Sequence, residues 1–422
     1  MANRPDFNLG DGMSATVAAG NKITTAIDIG KDEVIHRLWK RWQGLCDETR
    51  SAPFHRPEWI AAYLRAFEPN SEIVLLTASL GEQLVAVLPL VRKRCWYAGV
   101  PLVKLTGAAN VHSVRFEILR TPCAAGEASI PALWHSLQRM PGWQVLEFPY
   151  FPQAGACAKL LALAGEDGYL TRIFPLQDSP VLRMQADGNG QLSWLGGTSR
   201  HFRHELRRYA RVLEAETGAK PKITRWDHPD PAAMQKFFDL EAAGWKGREG
   251  SAIACGPETR AFYDQVAREG SDRGYFRLHS LEVNGTMAAG AFSVLTEDSF
   301  FPMKIAFSEA LRRGGPGHLL FNSILEECAG MGIPELFFGG SRDPYKELWT
   351  QQTLPHFRGL VFAPGFRAQL ACRIRTKVFP LLGELRRGLR DRLGRTNHKR
   401  SSEPGTQSNP GKKVAGPSHP PE

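Results

Sequence analysis

The apolar residues of this chain follow helical spacing in some segments and strand spacing in others. In "RPEWIAAYLRAF" they lie three and four residues apart after Pro57, which predicts an amphipathic helix that begins near this proline. Residues 72–79 and 83–92 are rich in apolar residues and are separated by a tight turn at Gly81, which predicts two paired strands. Both kinds of segment alternate along most of the chain, so the sequence predicts a mixed α and β fold.

A second series of elements follows in the C-terminal half. It begins with the helix "TSRHFRHELRRYARVLEAETG", for which Gly218 is the predicted C-cap. Helices then begin at Pro231 and Pro257, and Asn284-Gly285 predicts a hairpin turn. The segments "TASLGEQLVAVLPLV" and "SLEVNGTMAAGAFSVL" share the order strand, tight turn, apolar strand, about two hundred residues apart. This repetition suggests a doubled domain.

The two ends of the chain differ from the middle in composition. Residues 1–30 are rich in Gly, Ala and Asn, and residues 401–422 are rich in Pro, Gly and Ser, so we predict that both are disordered. Between them we predict an N-terminal lobe at 31–178, a C-terminal lobe at 179–365, and a basic amphipathic helical tail at 366–400.

The net charge of +10 is concentrated at the C-terminus. Residues 366–422 contain thirteen Lys and Arg against four Asp and Glu, a net of +9, which leaves +1 for all other residues. A nucleic-acid-binding protein usually carries its positive charge on the folded domain, so we expect no nucleic-acid partner. The tail is expected either to lie on an anionic membrane surface or to pack on the folded domain.

Other features disfavour further classes of protein. No apolar run approaches the roughly 20 residues of a membrane-spanning helix, and the N-terminus lacks the pattern of a secretion signal. We therefore expect a cytoplasmic protein, with peripheral contact to the inner face of the membrane through the tail as a further expectation. The seven cysteines are scattered singly and the histidines lack ligand spacing, so we expect reduced thiols and no metal site.

The stretch "LRRGGPGHLL" lies between a predicted strand and a predicted helix that covers about residues 318–331. Free N–H groups and the positive end of the dipole at a helix start favour an anion. Arg312, Gly315 and Gly317 fit the spacing R-x-x-G-x-G, which is associated with the pyrophosphate of coenzyme A in N-acetyltransferases. The alternative is a Gly-Pro turn that begins a packed helix, with Arg312 in solvent.

Four segments together resemble a known family. Across about residues 180–362, "RHFRHELRRYARVLE", "LEAAGWKGREGSAI", "MKIAFSEALRRGGPGHLL" and "FFGGSRDPYKELW" look like the acetyltransferase-like domain of the GNAT superfamily that is associated with cellulose and exopolysaccharide biosynthesis and related to Fem-type aminoacyltransferases. The resemblance implies an α/β fold of two GNAT-like lobes, each with a mixed, largely antiparallel sheet flanked by helices. The first lobe resembles a degenerate copy, because "RTPCAAGEASIP" offers one glycine where the second lobe has its loop.

The resemblance implies that acetyl-CoA is the acyl donor and binds only in the second lobe, at Arg312, Gly315, Gly317 and His318. In this superfamily a tyrosine after the strand that follows the loop often protonates the leaving thiolate. That residue is Tyr345 here, although packing against Trp349 four residues later would also explain it. Acyl transfer also needs a general base, for which Glu241 and Asp343 are alternatives. Asp343 is also the predicted N-cap of a helix.

Further residues are candidates for holding the acceptor. Trp245 and Lys246 lie in the motif W-K-G, and Lys346 lies in Y-K-x-x-W, so an ammonium group at either lysine could hold a phosphate or carboxylate. Arg200, Arg203, Arg207 and Arg211 form one face of a helix. This face is either solvated or lies beside the substrate cleft, where Arg203 and Arg207 would attract an anionic polymer or a nucleotide-sugar phosphate.

Three functions follow from these observations. The first is an acyl-CoA-dependent N- or O-acetyltransferase that acts on a sugar, an amino sugar or a cell-envelope or exopolysaccharide precursor in the cleft between the lobes. The second is a Fem-type aminoacyltransferase that uses aminoacyl-tRNA and needs no coenzyme A site. The third is a non-enzymatic partner in exopolysaccharide assembly.

Overall fold

The computed structural model describes residues 22–375. The expected disorder at 1–21 and 401–422, and the tail beyond residue 375, lie outside the described residues. Within residues 22–375, no helix is long and apolar enough to cross a membrane, and no group of three or more His, Cys, Asp or Glu side chains is arranged to hold a metal ion.

The N-terminal lobe contains seven strands and four helices, built mainly from the alternating patterns described above. Its elements are β1 (Ile23–Gly30), α1 (Asp32–Glu48), α2 (Pro57–Phe67), β2 (Glu72–Leu80), β3 (Gln83–Tyr97), β4 (Val100–Gly107), β5 (Leu119–Arg120), α3 (Ala124–Arg139), β6 (Val145–Pro152), α4 (Ala156–Glu166) and β7 (Leu170–Arg183). A short 3₁₀ turn, Pro53–His55, precedes α2.

The C-terminal lobe begins after β7 and follows the order that the sequence predicts. Its elements are β8 (Gln185–Ala186), β9 (Leu192–Ser193), α5 (Arg200–Thr217), β10 (Lys222–Trp226), α6 (Pro231–Ala243), α7 (Trp245–Arg248), α8 (Pro257–Asp272), β11 (Phe276–Val283), β12 (Thr286–Leu295), β13 (Ser299–Phe307), α9 (Pro316–Gly330), β14 (Glu335–Phe337), α10 (Pro344–Glu347), β15 (Thr353–Phe362) and α11 (Phe366–Arg373).

The predicted fold class is confirmed, because both lobes contain a mixed, largely antiparallel sheet flanked by helices. Thirteen of the described strands form one continuous sheet in the order β1-β2-β3-β4-β6-β15-β7-β14-β13-β12-β11-β10, with β5 beside β3, and β8 and β9 form a separate two-stranded sheet. The pairs β4–β6 and β13–β14 are parallel, and the remaining pairs of this sheet are antiparallel. Strand β7 links the lobes, because its residues 170–180 pair with β15 and its residues 181–183 pair with β14.

Two predicted boundaries differ from the structure. The prediction of disorder is wrong for residues 23–30, because β1 pairs with β2 over eight residues and so satisfies its backbone hydrogen bonds on the edge of the sheet. The boundary between residues 178 and 179 falls inside β7. Strand β15, which lies in the predicted C-terminal lobe, pairs with β6 and therefore completes the sheet of the N-terminal lobe.

The largest apolar core contains side chains from both lobes. Phe54 of the first lobe contacts Phe301 of β13 edge to face, with ring centroids 4.9 Å apart. Trp59 of α2 contacts Phe262 of α8 in the same manner at 5.2 Å. The lobes are therefore joined by a packed interface as well as by the sheet.

The first residues of the predicted basic tail belong to the folded domain. Helix α11 buries Ala368, Ala371 and Cys372 against Val100, Leu102 and neighbouring apolar residues. For this part of the tail, packing on the domain replaces the expected membrane contact.

Candidate active site

Strands β13 and β14 separate shortly after they pair, and this creates a wedge in the sheet. Their parallel pairing is limited to Ser299 with Glu335 and Phe300 with Leu336. Strand β13 then continues to Phe307 beside β12, whereas β14 ends at Phe337. The rings of Phe301 and Phe337 stack at 5.2 Å where the separation begins. We call the space between residues 301–307 and residues 338–341 the wedge.

The glycine loop leads from β13 to the start of α9, as the sequence predicts. A 3₁₀ turn at Glu309–Gly314 precedes Gly315, which has φ +52° and ψ 44°, and α9 begins at Pro316. Helix α9 therefore begins two residues before the predicted position. The positive φ value explains the glycine at position 315, because other residues adopt it at a cost.

The loop glycines pack closely against α5. A Cβ atom on Gly315 would lie 2.7 Å from the ring of Tyr209, and one on Gly314 would lie 2.9 Å from the Cα of Leu213. Gly317 is different, since its Cβ would be in ordinary contact with Phe307 at 3.5 Å. The side of Gly315 on which a Cβ would lie is therefore filled by α5. Gly317 is buried as well, whereas Arg312 is exposed.

An aromatic stack covers the start of α9. The ring of His318 lies between Tyr345, at 4.6 Å, and Tyr209, at 5.6 Å. The hydroxyl of Tyr345 donates to the carbonyl oxygen of Gly317 at 3.3 Å. Burial lowers the pKa of His318 to about 4 and raises the pKa of Tyr345. At neutral pH His318 is thus uncharged, and Tyr345 keeps the proton that a general acid needs.

Glu241 and Lys246 form a buried ion pair beside β13. The Glu241 residue is 1% exposed. Its Oε1 accepts from Lys246 Nζ at 3.1 Å, and its Oε2 accepts from the backbone N–H of Ile253 at 2.8 Å. Lys304 Nζ lies 3.8 Å from the same carboxylate. Lys246 also donates to the carbonyl oxygen of Ile305 at 2.8 Å, so it fixes the edge of β13 that faces the wedge.

Lys346 and Asp343 organise the chain that follows β14. Asp343 caps α10 by accepting from the backbone N–H of Lys346 at 2.9 Å. The Lys346 ammonium group lies 3.1 Å from Asp343 and donates to the carbonyl oxygens of Gly339, at 3.0 Å, and Ser341, at 2.9 Å. A positive charge therefore lies at the carboxyl end of β14, where the wedge begins.

The remaining predicted residues lie in two different places. Trp245 is about half exposed and lines a small cavity of about 30 Å³ with Glu241, Lys246, Ile305 and Glu309. Arg203 and Arg207 line a separate open groove of about 710 Å³ between α5 and α9. No ion pair joins either arginine to a residue in the part of the chain that the structure describes. The structure thus groups Glu241, Trp245 and Lys246 at β13 and groups Asp343, Tyr345 and Lys346 at β14, whereas Arg203 and Arg207 lie on another surface.

The first lobe contributes a cation that the sequence analysis missed. The guanidinium group of Arg115 lies over the ring of Phe337, 5.4 Å from its centroid. The local sequence "SVRFEIL" contains no signal for this position, because the contact depends on how the two lobes pack.

Comparison with known protein families finds a match to part of the chain. Residues 200–347 match the family described as acetyltransferase (GNAT) domain. This segment is similar to GNAT domains. It contains β13, the glycine loop, α9 and β14, so the match coincides with the wedge. No curated protein sequence matches the chain.

Solved structures resemble the chain over most of its length. FemX is 10% identical and has a TM-score of 0.51, with 76% of this chain and 96% of FemX covered. The C-terminal domain of a putative lysylphosphatidylglycerol synthetase from Agrobacterium fabrum is 14% identical, with coverages of 81% and 96% and a TM-score of 0.47. A tandem GNAT protein from the clavulanic acid biosynthesis pathway is 12% identical, with coverages of 81% and 100% and a TM-score of 0.41. The similarity to FemX shows a shared fold.

Proposed function

We propose that this protein is an acyltransferase whose reaction takes place in the wedge between β13 and β14. The observation that carries this proposal is the separation of the two parallel strands within the segment that matches a GNAT domain. The separation leaves backbone groups of β13 without a partner strand on that side. An acyl group held there would lie between Lys246 of α7, which contacts β13, and Lys346 of α10, which follows β14.

The residues around the wedge supply the groups that acyl transfer needs. The carbonyl oxygen of the acyl group gains negative charge as the acceptor attacks, and the Lys346 ammonium group would stabilise it through its charge if it exchanged one of its present acceptors for this oxygen. We assign Asp343 as the general base rather than Glu241, because the Asp343 side chain is 43% exposed whereas the Glu241 side chain is fully buried. Tyr345, whose raised pKa keeps it protonated, would give its proton to the leaving group.

The donor and acceptor are proposed from the sequence resemblance. The donor is acetyl-CoA, and the acceptor is a sugar, an amino sugar or a cell-envelope or exopolysaccharide precursor. A second candidate is an aminoacyltransferase that uses aminoacyl-tRNA, and the open arginine-lined groove between α5 and α9 is the observation that favours it. For that candidate, the arginines of the groove between α5 and α9 would contact a polyanion.

A donor assay separates the two candidates. The full chain is incubated with acetyl-CoA or with aminoacyl-tRNA and a panel of amino-sugar, sugar and envelope-precursor acceptors. Free thiol released only with an acceptor supports the acetyltransferase, and deacylation of the tRNA supports the second candidate. If neither donor is consumed with any acceptor, the acyltransferase proposal is wrong.

Variants of the residues beside the wedge, compared with a control variant elsewhere, test where the reaction takes place. Lys346→Met is expected to lower kcat by about 100-fold or more, and Tyr345→Phe and Asp343→Asn by about 100-fold or more as well. The control variant is Lys236→Met on α6. It removes an exposed lysine that pairs with Glu282 of β11, and it should leave kcat unchanged. Circular dichroism checks that each variant is folded.

A further inference from the structure

Arg115 is held at the wedge by contacts on both sides of its segment. The hydroxyl of Ser113 accepts from Trp59 Nε1 at 3.3 Å, and His112 Nδ1 lies 3.3 Å from the hydroxyl of Tyr263 on α8. A Cβ on Gly339, just after β14, would touch the Val114 side chain at 3.7 Å. The segment that carries Arg115 is therefore fixed against α2, α8 and the end of β14.

Arg115 lacks a polar partner among residues 22–375, unlike the three lysines around the wedge. Lys246, Lys304 and Lys346 each donate to a carbonyl oxygen. Arg115 contacts the face of Phe337 and forms no hydrogen bond or ion pair with a described residue. Arg115 is partly buried, and this burial lowers its pKa. A guanidinium group in such a place is costly unless an anion joins it.

The acidic side chains that act on Arg115 electrostatically are already used elsewhere. They are Glu117, Glu335 and Asp298. Glu117 accepts from the backbone N–H of Cys157 at 2.7 Å, and Glu335 accepts from Arg183 at 2.7 Å. Asp298 accepts from the hydroxyl of Thr296 at 2.7 Å. None of the three lies within ion-pair distance of Arg115, so each acts on the guanidinium group only from a longer distance.

Two buried imidazoles near Arg115 have unused nitrogen atoms. Nε2 of His55 and both ring nitrogens of His356 are buried without a hydrogen-bond partner. Burial is the main cause that lowers their pKa values, to about 3 for His55 and about 4 for His356, and the charge of Arg115 adds to it in both cases. Buried polar atoms are nearly always paired, so these unused nitrogen atoms are exceptions among the described residues.

We propose that Arg115 binds an anionic group of the acyl acceptor. The inference rests on the proposed acyltransferase function, because Arg115 reaches the wedge from the opposite lobe. The group is a carboxylate or a phosphate, since the planar guanidinium fork binds both in a bidentate manner. The acceptor therefore belongs to the class of charged acceptors, such as acidic or phosphorylated sugars.

The test measures anion binding without any acyl donor. Inorganic phosphate and acetate are titrated separately into the full chain by calorimetry, at constant ionic strength. The wild type is expected to bind at least one of the two, and Arg115→Gln to weaken that binding at least tenfold. Arg139→Gln, which removes an exposed arginine of α3, is the matched control and should bind like the wild type. Phosphate binding without acetate binding indicates a phosphorylated acceptor, and the reverse result indicates a carboxylate.

Arg115→Lys keeps the charge and guards against loss of folding in the glutamine variant. It should bind the anion more weakly than the wild type and more tightly than Arg115→Gln. Equal binding by the wild type and a folded Arg115→Gln variant, or no binding by the wild type, overturns the proposal. The binding test contains no acyl donor, so its result is independent of the donor assays. If Arg115→Gln loses anion binding but every donor assay fails, the anion site is supported and the acyltransferase function is rejected.

Discussion

At the scale of single residues, Glu241 is the most deeply buried charge beside the wedge. It balances Lys246 and Lys304, and it accepts the N–H of Ile253. Glu241→Gln removes the negative charge and leaves two ammonium groups close together, so the free energy of unfolding is expected to fall by about 3 kcal/mol. Urea unfolding measures this change. Glu214→Gln, at an exposed site on α5, should change it by less than about 0.5 kcal/mol. A similar small effect at Glu241 would mean that the ion pair does not stabilise the fold.

The buried histidines predict how stability depends on pH. The pKa values of His112, His318 and His356 are lowered to about 4, and that of His55 to about 3, with burial as the main cause in each case. In the unfolded chain these groups titrate near pH 6.5, so between pH 6.5 and 4 the unfolded state binds more protons. Stability should therefore fall as the pH falls through this window.

A single variant tests this pH dependence. Near pH 5 each of these histidines contributes roughly 1 kcal/mol of lost stability per pH unit. His318→Phe, which keeps an aromatic ring between Tyr209 and Tyr345, should make the slope of unfolding free energy against pH shallower by that amount. Replacement of the exposed His201 by Phe should leave the slope unchanged. An unchanged slope in His318→Phe would show that His318 becomes protonated in the folded state.

The sequence indicated several residues of the candidate site, but it did not indicate which side chains would contact each other. Glu241 and Lys246 lie five positions apart, which is not a neighbouring spacing on a helix. They meet because α6 ends at Ala243 and α7 begins at Trp245, so the chain turns at Gly244. Lys304 and Arg115 join the site only through tertiary packing. No local pattern could therefore predict them.

At the scale of elements, the start of α9 distinguishes packing from ligand binding. Gly315→Ala forces a side chain into the ring of Tyr209 at positive φ, so it should lower the free energy of unfolding by more than about 1 kcal/mol. Gly317→Ala adds a methyl group at ordinary contact distance and should be nearly neutral for stability. Thermal unfolding of both variants measures the difference.

The same pair of variants tests donor binding at the loop. If acetyl-CoA approaches Gly317, Gly317→Ala will weaken its binding in a calorimetric titration while the fold stays intact. Unchanged acetyl-CoA affinity in this variant would place any coenzyme A site elsewhere in the protein. Equal stability losses at Gly315 and Gly317 would contradict the packing described for α5.

Element boundaries were predictable where a local interaction defines them. Gly218 ends α5 in the left-handed conformation, and Asp230 caps α6 by accepting from the N–H of Ala233. Asn284 and Gly285 both have positive φ in the hairpin between β11 and β12. Strand β1 was missed because residues 1–30 were interpreted by their composition, although "ITTAIDIG" alternates apolar and polar residues.

At the scale of the whole molecule, the repeated strand pattern predicted two lobes but not how they connect. The exchange of β15 into the first lobe's sheet pairs residues 353–362 with residues 145–152 and 170–180. These partners are far apart in the sequence, and the hydrophobic pattern of a strand does not reveal which distant strand it pairs with. The result is a continuous sheet through both lobes.

This continuity predicts that the two lobes unfold together. Chains of this size often unfold in separate domain steps. Here the ring of Phe54 packs between Trp59 of its own lobe and Phe301 of β13, at 5.4 Å and 4.9 Å. Phe54→Ala should lower the free energy of unfolding by about 3–5 kcal/mol and still give one transition. Hydrogen exchange followed by mass spectrometry should show faster opening of β2 and of β12 alike. Phe148 lies in the core of the first lobe alone. Phe148→Ala should nevertheless speed hydrogen exchange in both lobes. If β12 stays protected from exchange in this variant, the lobes are independent units.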